Sequence, residues 1–444
     1  MFETIKNAFK IPDLRRRIFF TIMMLIIFRF GAHIPVPYLS PEAMQQFLGA
    51  GGTDLFSLFN IFTGGAFSNA TVMAMGVSPY INASIIIQLL TVAIPALERL
   101  AKEGVEGRKK INKITRYVGI ALAFVQGAGL YVTLHNMGVQ NNMTVIANES
   151  ALTFFVITLT FTAGTAFIVW LGELITEKGL GNGVSMIIFA GIVSSIPSGI
   201  YTIYQQFLTP SITFKGAAIS LGILIIAIAA ITFVVLFNTA ERRIPVQYAK
   251  RVVGRKMYGG QSTNIPIKVV MGGVMPIIFA SSIMAFPATI VRLVSGGDLP
   301  TSGIGFLILS CLGGTSGAPW WTSVVYGVLY FILILFFTYF YTAIQFNPIE
   351  MANNMKKSGG YIPGYRPGKP TSDFISKVAN RLNLAGAIFL GIIAVLPIII
   401  GAIFGINSLQ IGGTSLLIME GVALETVRQI ESQMTMRHYK GFLE

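Results

Sequence analysis

Blocks of lysine and arginine alternate with long apolar runs along this chain, and that alternation limits its possible folds more than any other feature. A helix crossing a membrane needs about 20 mainly apolar residues. Ten runs approach that length: 18–37, 76–94, 114–134, 152–172, 183–204, 216–238, 268–292, 322–343, 382–400 and 413–431. Of the 32 lysines and arginines, 29 lie in the two termini or in every second connection. Seven fall between Arg99 and Arg116, seven between Arg242 and Lys268, and six between Lys356 and Arg381. The other connections hold only Lys215 and Arg292, and Arg29 sits within the first run. Basic residues stay on the cytoplasmic side of a membrane. The split therefore predicts an even number of spans with both termini cytoplasmic. A miscounted span would break the alternation.

The composition agrees. Only 11% of the residues are charged, against about a quarter in a soluble domain. Mean hydropathy is +0.70. A net charge of +14 would point to nucleic acid in a soluble protein, but here topology accounts for it. The first run is followed by Ile34-Pro35-Val36-Pro37 and not by a small-residue cleavage site, so it reads as a first span and not as a removable signal. The ten spans divide into five and five, giving expected halves 1–210 and 211–444 with an internal repeat.

Three connections depart from simple turns. Residues 239–267 and 344–381 are long, basic and rich in Gly, Pro and Tyr, and loops of such length usually carry function. Residues 64–75, from Gly64-Gly65-Ala66-Phe67-Ser68-Asn69-Ala70-Thr71 onward, are too short and too polar to span. They read either as an external surface loop or, on their small-residue content, as a re-entrant half-helix, a form tolerated only inside protein or a water-filled cavity; the second reading is preferred.

Catalytic chemistry is absent from the pattern. No nucleophile has a base at useful spacing, and no span holds paired carboxylates. His33, His135 and His438 share no metal-ligand spacing, and the single Cys311 excludes an internal disulfide. Gly364 to Thr371 is one residue short of a P-loop and has Pro370 after its lysine. No cofactor is expected. Arg29 reads as a structural arginine satisfied by carbonyls near the outer end of its helix, whereas Glu420 has no evident partner. Val77 and Ile81, like Val184 and Ile188, are four apart and share a helix face, a pattern that is ordinarily core packing.

Longer strings carry a resemblance over essentially the whole chain. They are Phe28-Arg29-Phe30-Gly31 with Ile34-Pro35-Val36-Pro37; Gly64-Gly65-Ala66; Pro79-Tyr80-Ile81-Asn82-Ala83-Ser84-Ile85-Ile86-Ile87-Gln88-Leu89-Leu90; Trp170-Leu171-Gly172-Glu173 with Gly181-Asn182-Gly183; Tyr248-Ala249-Lys250-Arg251; Lys356-Lys357-Ser358-Gly359 with Pro363-Gly364-Tyr365-Arg366-Pro367-Gly368; and Gly412-Gly413-Thr414-Ser415-Leu416-Leu417. In this order and spacing the chain resembles the SecY family of protein-translocation channels, in its bacterial form.

The resemblance implies an all-α membrane protein, with ten spans in two pseudo-symmetric halves around an hourglass pore and a plug half-helix at about 64–75. It implies a protein-conducting channel of the general secretory pathway, in the bacterial cytoplasmic membrane. Such a channel passes unfolded chains across and releases membrane segments sideways. The constriction ring would be Val77, Ile81, Val184, Ile188, Ile278 and Ile418, a narrow apolar gasket that blocks ions by dewetting. The plug would comprise Gly64, Gly65, Ala66, Phe67, Ser68, Asn69, Ala70 and Thr71. A lateral gate between the second and third spans and the seventh and eighth would hold the polar residues Asn82, Gln88, Gln126 and Asn182. The motor ATPase SecA and the ribosome would dock on Arg243, Lys250, Arg251, Arg255, Lys256, Lys356, Lys357 and Arg366. Small SecE and SecG membrane subunits, signal peptides, nascent chains and membrane lipids complete the implied partners. Val270 departs from the family, which often carries Asn at that point of the seventh helix, and Glu420 replaces a residue that is usually apolar.

Two readings of other classes compete. An ion-coupled solute transporter would place a charged site at mid-membrane, where the channel reading places an apolar ring. A membrane anchor for a cytoplasmic complex would not need ten spans.

Overall fold

A computed structural model describes residues 7–49, 60, 63–140, 144–147, 150–208, 214–248, 251–253, 256–258, 262–294, 303–312, 320–404 and 413–440. The bundle consists of α1 (Pro12–Gly31), α2 (Pro41–Gly49), α3 (Ser78–Ala93), α4 (Pro95–Lys102), α5 (Val105–Gln140), α6 (Ala151–Lys178), α7 (Gly183–Leu208), α8 (Phe214–Thr239), α9 (Met275–Val294), α10 (Gly303–Leu312), α11 (Trp320–Gln345), α12 (Pro348–Lys357), α13 (Lys369–Phe404) and α14 (Gly413–Lys440). Each of the ten apolar runs falls on a helix.

Among the described residues six helices are by themselves long and apolar enough to cross a membrane; they lie in α5, α6, α7, α8, α11 and α13. α3 and α4, bent by 100° at one break, pass the same test only when taken together, as a broken span or a re-entrant loop. The break follows from Pro95. It lacks the N–H that would continue the helix, and it forces Ile94 into an extended conformation. Three further runs, on α1, α9 and α14, fall short. α1 opens with Arg15, Arg16 and Arg17, α14 contains Glu420, Glu425 and Arg428, and in α9 the described apolar stretch is the shorter Met275–Met284.

α6 shows how these helices pack. Thr153, Ile157, Phe161, Gly164, Ile168, Leu171, Gly172 and Ile175 are all buried, the three- and four-residue spacing of one inward stripe. At Gly164 the backbone of Val72 comes so close that a Cβ would lie 1.9 Å from its carbonyl oxygen. No other residue fits there, and the close approach anchors the stretch 63–77 against α6.

The first long connection is not a loop. Strand β1 (Glu241–Tyr248) pairs antiparallel with β4 (Ser262–Lys268), in register from Glu241↔Lys268 to Gln247↔Ser262. Between them β2 (Arg251–Val253) and β3 (Lys256–Tyr258) form a second antiparallel pair. The second long connection supplies β5 (Gly360–Tyr361), which joins the other edge of β1 through Gln247↔Tyr361 and Tyr248↔Gly360. The bundle is helical as expected, and its two basic connections combine into one small sheet. The sheet buries Ile244, Val246 and Ile267 against Met355 of α12, Ile362 and Ile375 of α13. From Arg243 to Gln247 strand β1 alternates, with Ile244 and Val246 inward and Arg243, Pro245 and Gln247 outward, the period of a half-buried strand. This face of the molecule, called the basic face below, carries the sheet, α12 and the start of α13.

Candidate functional site

The six ring residues come from four helices that are far apart in sequence, and they meet in one apolar cluster. Val77 caps the start of α3 and Ile81 lies in its first turn; Val184 and Ile188 come from α7, Ile278 from α9 and Ile418 from α14. Val77, Ile188 and Ile418 are buried there, and Ile81, Val184 and Ile278 are half-buried against them. Both same-face pairs therefore belong to one apolar cluster, which also holds Phe28 of α1 and Ile168 of α6. Five of the six are Val or Ile within helices, where a branched Cβ fixes the side-chain rotamer. Val274, in the turn before α9, joins the same cluster. It was not expected, because its place depends on Gly421 of α14, where a Cβ would lie 2.1 Å from Val274 Cγ2.

Residues 63–77 cover this cluster, but not as a half-helix. The stretch is a run of turns with one bridge, Pro35↔Thr71. Gly64, Gly65, Ala70 and Gly76 have positive φ, a conformation that interrupts any right-handed helix. The stretch has two inner surfaces. Ala66 and Met73 pack into the ring cluster. Phe67, Ala70, Ala74 and Met75 pack on the other side with Val36, Leu39, Leu134, Ile157 and Phe161. Ser68 donates its N–H to Asn60 Oδ1, Gln45 of α2 donates to Asn69 Oδ1, and Thr71 Oγ1 donates to the Ala66 carbonyl.

Beside the ring, α9 packs against both α3 and α5, closing the seam where the lateral gate is expected. Ile85 of α3 is buried there with Ile277, Phe279 and Met284 of α9. Asn82 and Gln88 lie half-buried on α3, and Gln126 half-buried on α5. Gln88 donates to Ser84 one turn back on its own helix, at 3.4 Å. Asn182 has another position and another task. It precedes α7, and its Oδ1 accepts from the backbone N–H of Val184 and Ser185, an N-cap. Val270 also needs correction, since it lies in the turn before α9 and not on that helix. It is buried in the apolar cluster that also holds Phe389 and Leu390 of α13.

Glu420 has a partner that the sequence did not reveal. It is buried on α14 and accepts a hydrogen bond from the side chain of Asn238 on α8, while Arg428 donates to the Asn238 carbonyl at 3.3 Å. Glu420 therefore turns away from the ring, as its two-residue offset from Ile418 requires.

On the basic face Arg243 projects outward from β1 and pairs with Glu241 at 2.8 Å. Lys356 and Lys357 are exposed at the end of α12. Arg366 is exposed in the turn before α13, with its carbonyl held by Thr371 Oγ1 at 2.8 Å. Tyr365 packs against Phe374 with ring centres 4.2 Å apart and the rings tilted by 30°. Arg251 and Lys256 lie on β2 and β3, whereas Lys250 and Arg255 lie outside the described residues. No group of three or more His, Cys, Asp or Glu among the described residues could hold a metal ion.

Comparison with known proteins agrees with this geometry. The SecY family model matches residues 71–427. The protein translocase subunit SecY of Streptomyces coelicolor is 45% identical over 451 aligned residues, covering 100% of both chains. A solved SecY structure, in which the plug domain is described as stabilising the closed state of the translocation channel, superposes with a TM-score of 0.66 at 19% identity; 95% of this chain and 92% of that chain are covered. The channel of the canine ribosome-channel complex from the endoplasmic reticulum gives 0.64 at 16% identity, again over 95% and 92%. A family match over most of the chain and a full-length relative at this identity make the assignment direct: the chain belongs to the SecY family.

Proposed function

We propose that this chain is the channel subunit of a protein translocase, passing unfolded polypeptides across a membrane and releasing apolar segments through the seam between α3, α5 and α9. One observation carries the reading. Six Val and Ile side chains from four helices gather in one apolar cluster, with a non-helical stretch packed against it. Such a ring offers a passing chain no hydrogen-bond partner, so it discriminates by width and dryness and not by sequence. A solute transporter would need its charged side chain at that point. The acid nearest the ring in sequence, Glu420, instead points to Asn238.

The finer assignments follow from this reading. The ring is the constriction and residues 64–75 are its stopper. Residues 1–210 and 211–444 are the two halves, and the ring and the seam are where they meet. All ten runs cross the membrane, which is the bacterial cytoplasmic membrane, with both termini and the basic face cytoplasmic. Sealing and conduction need no catalytic residue, so the driving force comes from a motor ATPase of the SecA type or a translating ribosome docked on the basic face. Small subunits of the SecE and SecG type pack on lipid-facing helices such as α8, whose apolar Leu221, Leu224, Ile225 and Leu236 are exposed.

Arg366→Glu tests the coupling. In vesicles carrying the reconstituted channel with motor and ATP, the variant should insert normally but fail to move a secretory precursor to a protease-protected state. Transport at the unsubstituted rate would contradict the docking assignment.

A further inference from the structure

Arg29 is a charged residue within a span that the ring, the seam and the basic face leave unused. It lies in the last turn of α1, half-buried. Its Nη1 donates a hydrogen bond to the carbonyl oxygen of Gly64, 35 residues further along the chain. Gly64 opens the stretch that covers the ring, with φ +64°. A Cβ on Gly64 would lie 2.3 Å from Ser194 Oγ, 2.7 Å from Arg29 Nη1 and 3.0 Å from the Gly191 carbonyl. The peptide is thus gripped between α1 and α7, with no room for a side chain and a guanidinium on its oxygen.

The other polar ties on this stretch are weaker in kind. Gln45 to Asn69, Val36 N–H to the Ala70 carbonyl and Val72 N–H to the Ile34 carbonyl are all neutral hydrogen bonds. A hydrogen bond to a charged group is worth roughly twice a neutral one, and more where water is scarce.

We infer that Arg29 is a latch that holds residues 63–77 over the ring through the Gly64 carbonyl. The inference rests on the reading of 64–75 as a movable stopper. An arginine suits a reversible latch better than an apolar anchor does. Arg29 sits two residues from the end of α1, beside exposed Phe30 and His33. When the stretch leaves, the guanidinium can extend to the interface and be hydrated, so opening does not strand a charge. The bond also lies at the entry of the stretch, where its release frees the chain at one end before the apolar contacts of Ala66 and Met73 must part.

The test is ion conductance of the purified channel in planar lipid bilayers, with no translocating chain. Deleting 65–72 should raise it. Arg29→Met should raise it about tenfold or more, the range set by losing one hydrogen bond to a charged group. Arg29→Lys, which keeps the charge on a different donor, should give a smaller rise. Gly64→Ala should leak as Arg29→Met does. The double variant should leak no more than the leakier single one, because both break the same contact. If the deletion leaks while Arg29→Met and Gly64→Ala stay at the unsubstituted level, the latch is wrong and the stopper stands. If the deletion does not leak, both fall. Should Arg29→Met not reach the membrane, Gly64→Ala decides alone, and a silent Gly64→Ala overturns the latch.

Discussion

The ring and the basic face are built from opposite materials. At the ring, apolar side chains from α3, α7, α9 and α14 touch without a framework of strands or ion pairs among them. On the basic face, a three-stranded sheet is fixed by backbone hydrogen bonds and clamped to α12 and α13 by its own apolar cluster. The difference fits the roles proposed for each. Dispersion contacts are individually small and non-directional, so a ring of them can part and re-form without leaving polar groups unsatisfied. The proposed docking surface would have to keep its shape under force, and a sheet held by directional bonds does so.

Substitutions distinguish the two regions. The largest effect is expected for Val246→Asp, which places a charge at a site that is 0% exposed inside the sheet cluster. An unpaired buried charge costs several kcal/mol. The sheet should detach and be clipped by protease between Arg242 and Lys268, while the helices stay folded by circular dichroism. Loss of the helical signal as well would show that the two regions fold as one. A smaller effect is expected for Ile188→Ala at the ring, about 2 kcal/mol, the low end for truncating a buried isoleucine. It should widen the seal and raise idle conductance without loss of folded protein. A destabilisation as large as that of Val246→Asp would mean that the ring is a rigid core and not a gasket. The smallest effect on stability is expected for Arg243→Ala, at most about 0.5 kcal/mol, because its pair with Glu241 is exposed. Its effect should appear in motor-driven transport instead. A melting shift comparable to that of Val246→Asp would make Arg243 part of the framework and not of the docking surface.

The helices were legible because their signal is repeated and long. Apolar runs near 20 residues and the charge alternation both mark them. The proposed ring rests on the resemblance, since two residues four apart on a helix look the same whether they line a pore or a core. The sheet was missed for a different reason. The alternation of Ile244 and Val246 with Arg243, Pro245 and Gln247 was present, but it is short, and its second partner, β5, lies more than 100 residues away in sequence. The half-helix at 64–75 failed at Ala70, a non-glycine residue with φ +47°; nothing in its identity announces that conformation. Asn182 could have been read correctly, since an Asn just before an apolar-periodic segment is an N-cap signal. The partner of Glu420 could not, because Asn238 is 182 residues away and reaches it only through the packing of α8 on α14.

The central claim is that a polypeptide passes through the ring of Val77, Ile81, Val184, Ile188, Ile278 and Ile418. The most direct measurement places a photoreactive amino acid at Ile81 or Ile188 and stalls a secretory precursor in mid-transit. Illumination should give a covalent adduct between channel and precursor at both positions, and none from a probe at Leu236, which is exposed on α8. Absence of adducts at Ile81 and Ile188 under a confirmed stall would contradict the account.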